Sequence, residues 1–96
     1  MAVLRIEAEA SEGVRPPTPI LAIDGWVIHL IEGVGQVEVA GSCGDGSPHT
    51  LSYDIAGPEG ETLEVTILCG GEPIRKVKAE IFPGAIRDVG IAEFRL

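Results

Sequence analysis

Ninety-six residues with a net charge of −8 make one domain with room for a single core, and that acid excess excludes the basic footprint of a nonspecific nucleic-acid binder. Hydrophobic residues reach 45% and mean hydropathy is +0.26, so some apolar surface stays in water unless a partner covers it. No apolar run approaches the roughly 18 residues that cross a bilayer, so no membrane partner is expected.

Residues Met1 to Glu7 lack a basic segment followed by a long apolar stretch, so no signal peptide is read and a cytoplasmic or virion location is expected. Ala2, Leu4, Ile6, Ala8 and Ala10 then alternate with Val3, Arg5, Glu7 and Glu9, the period of a half-buried strand. Residues 12–19 hold Pro16, Pro17 and Pro19, which remove backbone donors and favour a stiff extended connector or an edge segment.

The most apolar region runs from Ile20 to Ile31, broken by Asp24-Gly25, a pair suited to a type I′ turn. Beyond it, Trp26, Ile28 and Leu30 are expected on one face of a strand and Val27, His29 and Ile31 on the other. Both sets are largely apolar, so one fills the core and the other needs cover.

Gln36 to Gly41 is a short strand with Val37 and Val39 inward, followed by a loop from Ser42 to Pro48. Three strands follow as a meander. Leu51, Tyr53 and Ile55 point inward in the first, Leu63, Val65, Ile67 and Cys69 in the second, and Val77, Ala79 and Ile81 in the third. Gly57-Pro58-Glu59-Gly60 and Gly70-Gly71-Glu72-Pro73 are the intervening turns. Gly90, Ala92, Phe94 and Leu96 continue the inward pattern to the last residue.

No segment carries a helical period over ten or more residues. The expectation is an all-β, single-domain antiparallel β-sandwich of about seven strands over residues 1–96, immunoglobulin-like or jelly-roll-like. The immunoglobulin order of cysteine, tryptophan, cysteine is absent, because Trp26 precedes both cysteines. The stretch from Tyr53 to Ile81, with its Gly70-Gly71-Glu72-Pro73 hairpin, is similar in outline to filamin-type repeats. It carries no specific motif, and the chain is not assigned to that family.

Chemistry is sparse. Cys43 in a loop and Cys69 on an inward position admit three readings: reduced thiols, a disulfide, or zinc held with His49 and His29. The lack of a signal peptide favours the thiols, and no ligand pair is closer than Cys43 and His49, unlike structural zinc sites. A nucleophilic site can be drawn from Cys43, His49 and Asp45 or Asp54, but these residue types meet often in glycine-rich loops without catalysing anything. Asp45, Asp54, Glu59 and Glu61 lack the spacing of a calcium loop. No catalytic, metal or cofactor site is expected.

The charge is uneven. Residues 1–72 hold twelve acids against Arg5 and Arg15, whereas Arg75, Lys76, Lys78, Arg87 and Arg95 crowd the last quarter. The expected function is therefore a non-enzymatic structural or assembly protein. It would be a small subunit, homo-oligomeric or docked on a protein scaffold, such as a virion decoration, tail or filament component. Val27, His29, Ile31, Arg75, Lys76 and Lys78 are its interface candidates. The alternative is a soluble protein- or ligand-binding immunoglobulin-like module acting with an enzyme or receptor.

Overall fold

The computed structural model describes residues 1–11 and 18–96. These form eight strands and no helix: β1 (Ala2–Ala10), β2 (Thr18–Ile23), β3 (Trp26–Ile28), β4 (Val34–Val39), β5 (Pro48–Ala56), β6 (Thr62–Cys69), β7 (Glu72–Glu80) and β8 (Arg87–Arg95). Residues 16 and 17 of the proline connector lie outside the described residues, and Pro19 falls within β2.

The strands pair antiparallel into two sheets. Sheet 1 has the order β4-β1-β6-β7 and sheet 2 the order β3-β2-β5-β8. The two faces meet as a sandwich because alternate residues on each strand are apolar and must leave water together. Ile6 sits opposite Ile67 in sheet 1, and Ile23 opposite Leu51 in sheet 2. With Leu4, Val65, Leu21, Ile55 and Ile81 they form the buried centre. Each such side chain contributes about 1.5–3 kcal/mol by leaving water.

The Asp24-Gly25 turn forms as expected, with φ of 51° and 84°, both in the left-handed region that a type I′ turn demands. It divides the apolar region into two strands, which makes eight rather than seven. Beyond it the expected two-faced strand stops short. Only Trp26 to Ile28 pair with β2, because a second left-handed pair, Glu32-Gly33 at φ 53° and 79°, turns the chain back at once. That turn is closed by reciprocal backbone bonds between Ile31 and Val34 at 2.9 and 3.1 Å. Gly33 is held against β1, where its carbonyl accepts from the Ala8 amide at 2.7 Å, and a Cβ there would lie 2.6 Å from the Ala8 carbonyl oxygen. Ile28 enters the core and Leu30 packs partly against it. Trp26, at the hairpin end of an edge strand, is 70% exposed.

Candidate docking face

The outer side of sheet 2 follows directly from its register. With Leu21, Ile23, Leu51, Ile55 and Phe94 inward, the residues of opposite parity must face out. Three rows cross the sheet: Val27, Ala22, Ser52 and Ile91; then Ile20, Asp54 and Val89; then Thr18, Ala56 and Arg87. Ile20, Val27, Val89 and Ile91 are each more than half exposed, and Ile91 reaches 72%. Ala22 and Ser52 are short, so the middle of the sheet is a shallow trough between larger aliphatic residues. Its lining includes Ile20, Ala22, Ser52, Val89 and Ile91.

Few charges interrupt this face, and they cancel. Arg87 Nε donates to Asp54 Oδ1 at 2.7 Å, and Arg87 Nη2 makes a second contact to Asp54 Oδ2. Asp54 is held below the usual carboxylate range chiefly by that hydrogen bond. Glu93 and Arg95 are the remaining charged pair on the outward positions of β8. The outer side of sheet 1 is the opposite kind of surface. Its outward positions carry Arg5, Glu7, Glu9, Glu38, Glu64, Lys76, Lys78 and Glu80. Ion pairs there join Arg5 to Glu7 at 3.0 Å and Lys76 to Glu64 at 3.6 Å.

Comparisons with family models, with curated proteins and with solved structures find no match to this chain. The physical character of its surfaces is therefore the guide to what it does.

The interface candidates from the sequence scatter. Val27 lies on the apolar face. His29 and Ile31 are exposed but fall beyond the end of β3, on the segment that turns toward β4. Arg75, Lys76 and Lys78 lie on β7, at the edge of sheet 1, and are not brought to the apolar face. Of the residues that complete the face, Val89 and Ile91 had a sequence signal, since they alternate with Gly90 and Ala92, already read as inward; Ile20 lay in the apolar run before the Asp24-Gly25 turn, whose faces the sequence reading did not assign.

The loop chemistry resolves differently from the sequence reading. Cys43 and Cys69 form a disulfide across 26 residues, with Cα atoms 5.8 Å apart. The reading as reduced thiols is overturned. So are the zinc and nucleophile constellations, because neither sulfur is a free thiolate. The physical reason is that Cys69 ends β6 where the 42–47 loop folds over it, a proximity that spacing alone does not reveal.

His49 is 6% exposed on β5. Its Nδ1 lies 2.6 Å from Asp24 Oδ2 and its Nε2 3.3 Å from Ser47 Oγ. An ionised carboxylate only accepts, so Nδ1 carries the proton of the first bond. Serine, histidine and aspartate thus stand in the contact order of a hydrolytic relay. The Ser47 hydroxyl, however, donates to Asp45 Oδ1 at 2.6 Å, so its single proton points away from the imidazole. Asp45 also accepts from the amides of Ser42 and Ser47 at 2.7 and 2.8 Å. The bonds from Ser47 and then Ser42 hold its carboxyl down at about 2. At Asp24, burial raises the pKa, but the His49 and Thr50 hydrogen bonds outweigh it and the net direction is down. The cluster ties the β2–β3 turn to β5 and pins the loop that carries Cys43.

Proposed function

We propose that this chain is a non-enzymatic structural or assembly subunit, built on an immunoglobulin-like or jelly-roll-like sandwich and held in its assembly by the outer side of sheet 2. One observation supports this reading: an apolar, electroneutral sheet face on a molecule of net charge −8. A face of that kind in water is an aggregation liability unless a protein covers it. Its neutrality suits neither nucleic acid nor a charged lipid surface, and the chain needs no cofactor for this role. The Cys43–Cys69 bond favours a setting outside a reducing cytosol, the surface of a released virion among them, over a cytoplasmic one.

Radical footprinting of the assembled chain against the dilute chain tests the proposal. Ile20, Val89 and Ile91 are expected to lose reactivity on assembly, while Val3 and Leu68 on the outside of sheet 1 keep theirs. Protection centred on sheet 1, or none anywhere, refutes it.

A further inference from the structure

An edge strand presents unpaired N–H and C=O groups on which another strand can build, and proteins guard such edges with short strands, proline, lysine or bulges. Three of the four edges here are guarded. β3 is three residues long. β4 is crowded by the chain leaving β3, where a Cβ on Gly35 would lie 2.8 Å from the His29 carbonyl oxygen. β7 carries Pro73, Arg75, Lys76 and Lys78, and its ladder with β6 shifts register at Ile67/Leu68. β8 is nine residues long, has neither proline nor lysine, and pairs with β5 without a register shift. Its charges stand toward its ends. Its middle, Val89-Gly90-Ile91, carries none, and both aliphatic side chains are exposed.

Backbone parity defines what this edge offers. Just beyond the ends of β8, the Ile86 carbonyl accepts from the Gly57 amide and the Leu96 amide donates to the Ser47 carbonyl, each at 3.1 Å. Both bonds run toward the β5 side. Alternate residues of an antiparallel strand direct their groups to opposite sides, so the even-numbered residues of β8 bond to β5. The amides and carbonyls of Arg87, Val89, Ile91 and Glu93 point to the open edge, where no described residue bonds to them.

We infer that this edge pairs with the same edge of a second copy, antiparallel about a two-fold axis through Gly90, so that the two copies of sheet 2 become one continuous sheet. The edge pairs whether or not the outer face is docked, and the inference does not rest on the role proposed for that face.

Charge and side-chain size select both the partner and the register. About Gly90, Arg87 stands opposite Glu93 of the second copy, and Val89 opposite its Ile91. Every one of these residues points its backbone to the open edge, so each pair exchanges two N–H···O=C bonds. The two-fold axis makes each contact twice. Arg87 has donors to spare for Glu93 after its bond to Asp54, because a guanidinium carries five N–H groups. Neighbouring registers are worse, since cross-strand pairs reward opposite charges and apolar partners and penalise like charges. With the axis at Ile91, Arg87 meets Arg95 and Val89 meets Glu93. With it at Ala92, Val89 meets Arg95 and Ile91 meets Glu93. With it at Val89, Arg87 meets Ile91 and Glu93 passes beyond the paired strand. A foreign strand would have to supply the reversed pattern, whereas a second copy carries it already.

The test uses the intact, oxidised chain in sedimentation equilibrium and residue-resolved amide hydrogen exchange. The wild type is expected to dimerise, and the amides of Arg87, Val89, Ile91 and Glu93 are expected to gain protection as concentration rises. Val89→Pro removes an edge donor that the molecule's own ladder does not use. It is expected to weaken the dimer by about 10-fold or more, since symmetry deletes two bonds at once. Circular dichroism checks that it stays folded. Glu93→Arg and Arg87→Glu leave the backbone untouched and carry the test if the proline variant unfolds. Each alone sets like charges opposite one another and is expected to lose the dimer, while an equimolar mixture of the two is expected to recover it as a heterodimer. A wild type that stays monomeric to millimolar concentration overturns the inference. So does a dimer in which those four amides stay unprotected, or one that both charge variants form as well as the wild type. Ile20 lies on β2, with β5 between it and this edge, so its protection in footprinting reports on the outer face alone.

Discussion

Asp45 is the smallest unit on which much of the loop architecture depends. Its carboxylate collects two amides and one hydroxyl within a six-residue loop, the local side-chain-to-backbone pattern that aspartate makes in turns. Its folded pKa of about 2 lies below the ordinary 3.8. A carboxyl depressed on folding contributes stability that is complete above its unfolded pKa and is lost as pH falls through the folded one. Between pH 3.8 and about 2 the wild type is therefore expected to lose stability more steeply than Asp45→Asn, in urea titrations run across that window. Parallel slopes would mean that the carboxylate does not hold the loop. Asp24 shifts in the same direction and acts in the same acid range. In sequence, Asp45 and His49 were visible only as residue types in a glycine-rich loop. Their partners, Ser42 and Ser47 for one and Asp24 for the other, are set by the turn and by strand pairing.

At the scale of strands, β5 and β8 meet over nine register pairs, and one of them explains a glycine. Tyr53 faces inward opposite Gly90, and its ring lies over the bare Cα. A Cβ on residue 90 would sit 3.0 Å from Tyr53 Cε1 and closer still to its Cζ and Oη. Gly90 has no left-handed φ to justify it, so close approach is the reason it is glycine. Gly90→Ala is expected to destabilise by about 1–3 kcal/mol, read from urea midpoints. In Tyr53→Ala the same substitution should cost far less, since the two residues share one volume. Equal costs in both backgrounds would place the strain elsewhere. The alternation that assigned Tyr53 and Gly90 to the inner face was legible from the sequence, as were the inward sets of β1, β5 and β6, because apolar period two has one physical solution in a half-buried sheet. The length of β3 was not. Its apolar residues satisfy the pattern of a longer strand, and only the Glu32-Gly33 turn, closed on β1, ends it early.

For the molecule as a whole, the candidate face was the least legible feature. The row from Val27 through Ala22 and Ser52 to Ile91 crosses four strands drawn from three separate stretches of the chain, and no local pattern states that β5 lies between β2 and β8. The disulfide escaped for the same reason. Cys43→Ser removes the same bond as Cys69→Ser. Reduction, or either substitution, is expected to cost about 3 kcal/mol through the freed loop entropy of the unfolded chain, measured as a lowered denaturation midpoint with and without reductant. An unchanged midpoint would show that the bond contributes nothing.

The same bond encloses all of β5 and nearly all of β6, one strand from the middle of each sheet. If Ala2 and Leu96 are pulled apart, tension bypasses the enclosed segment and runs through the sulfur bridge. About 90 Å of chain, 26 residues at about 3.5 Å each, cannot be drawn out until the bridge is broken. Single-molecule extension of the oxidised chain would then end short by that length, and the two central strands, one from each sheet, would stay tethered to one another after their neighbours had been stripped away. Under mechanical load the protein is a shorter string than its sequence, with its refolding seed kept in one piece.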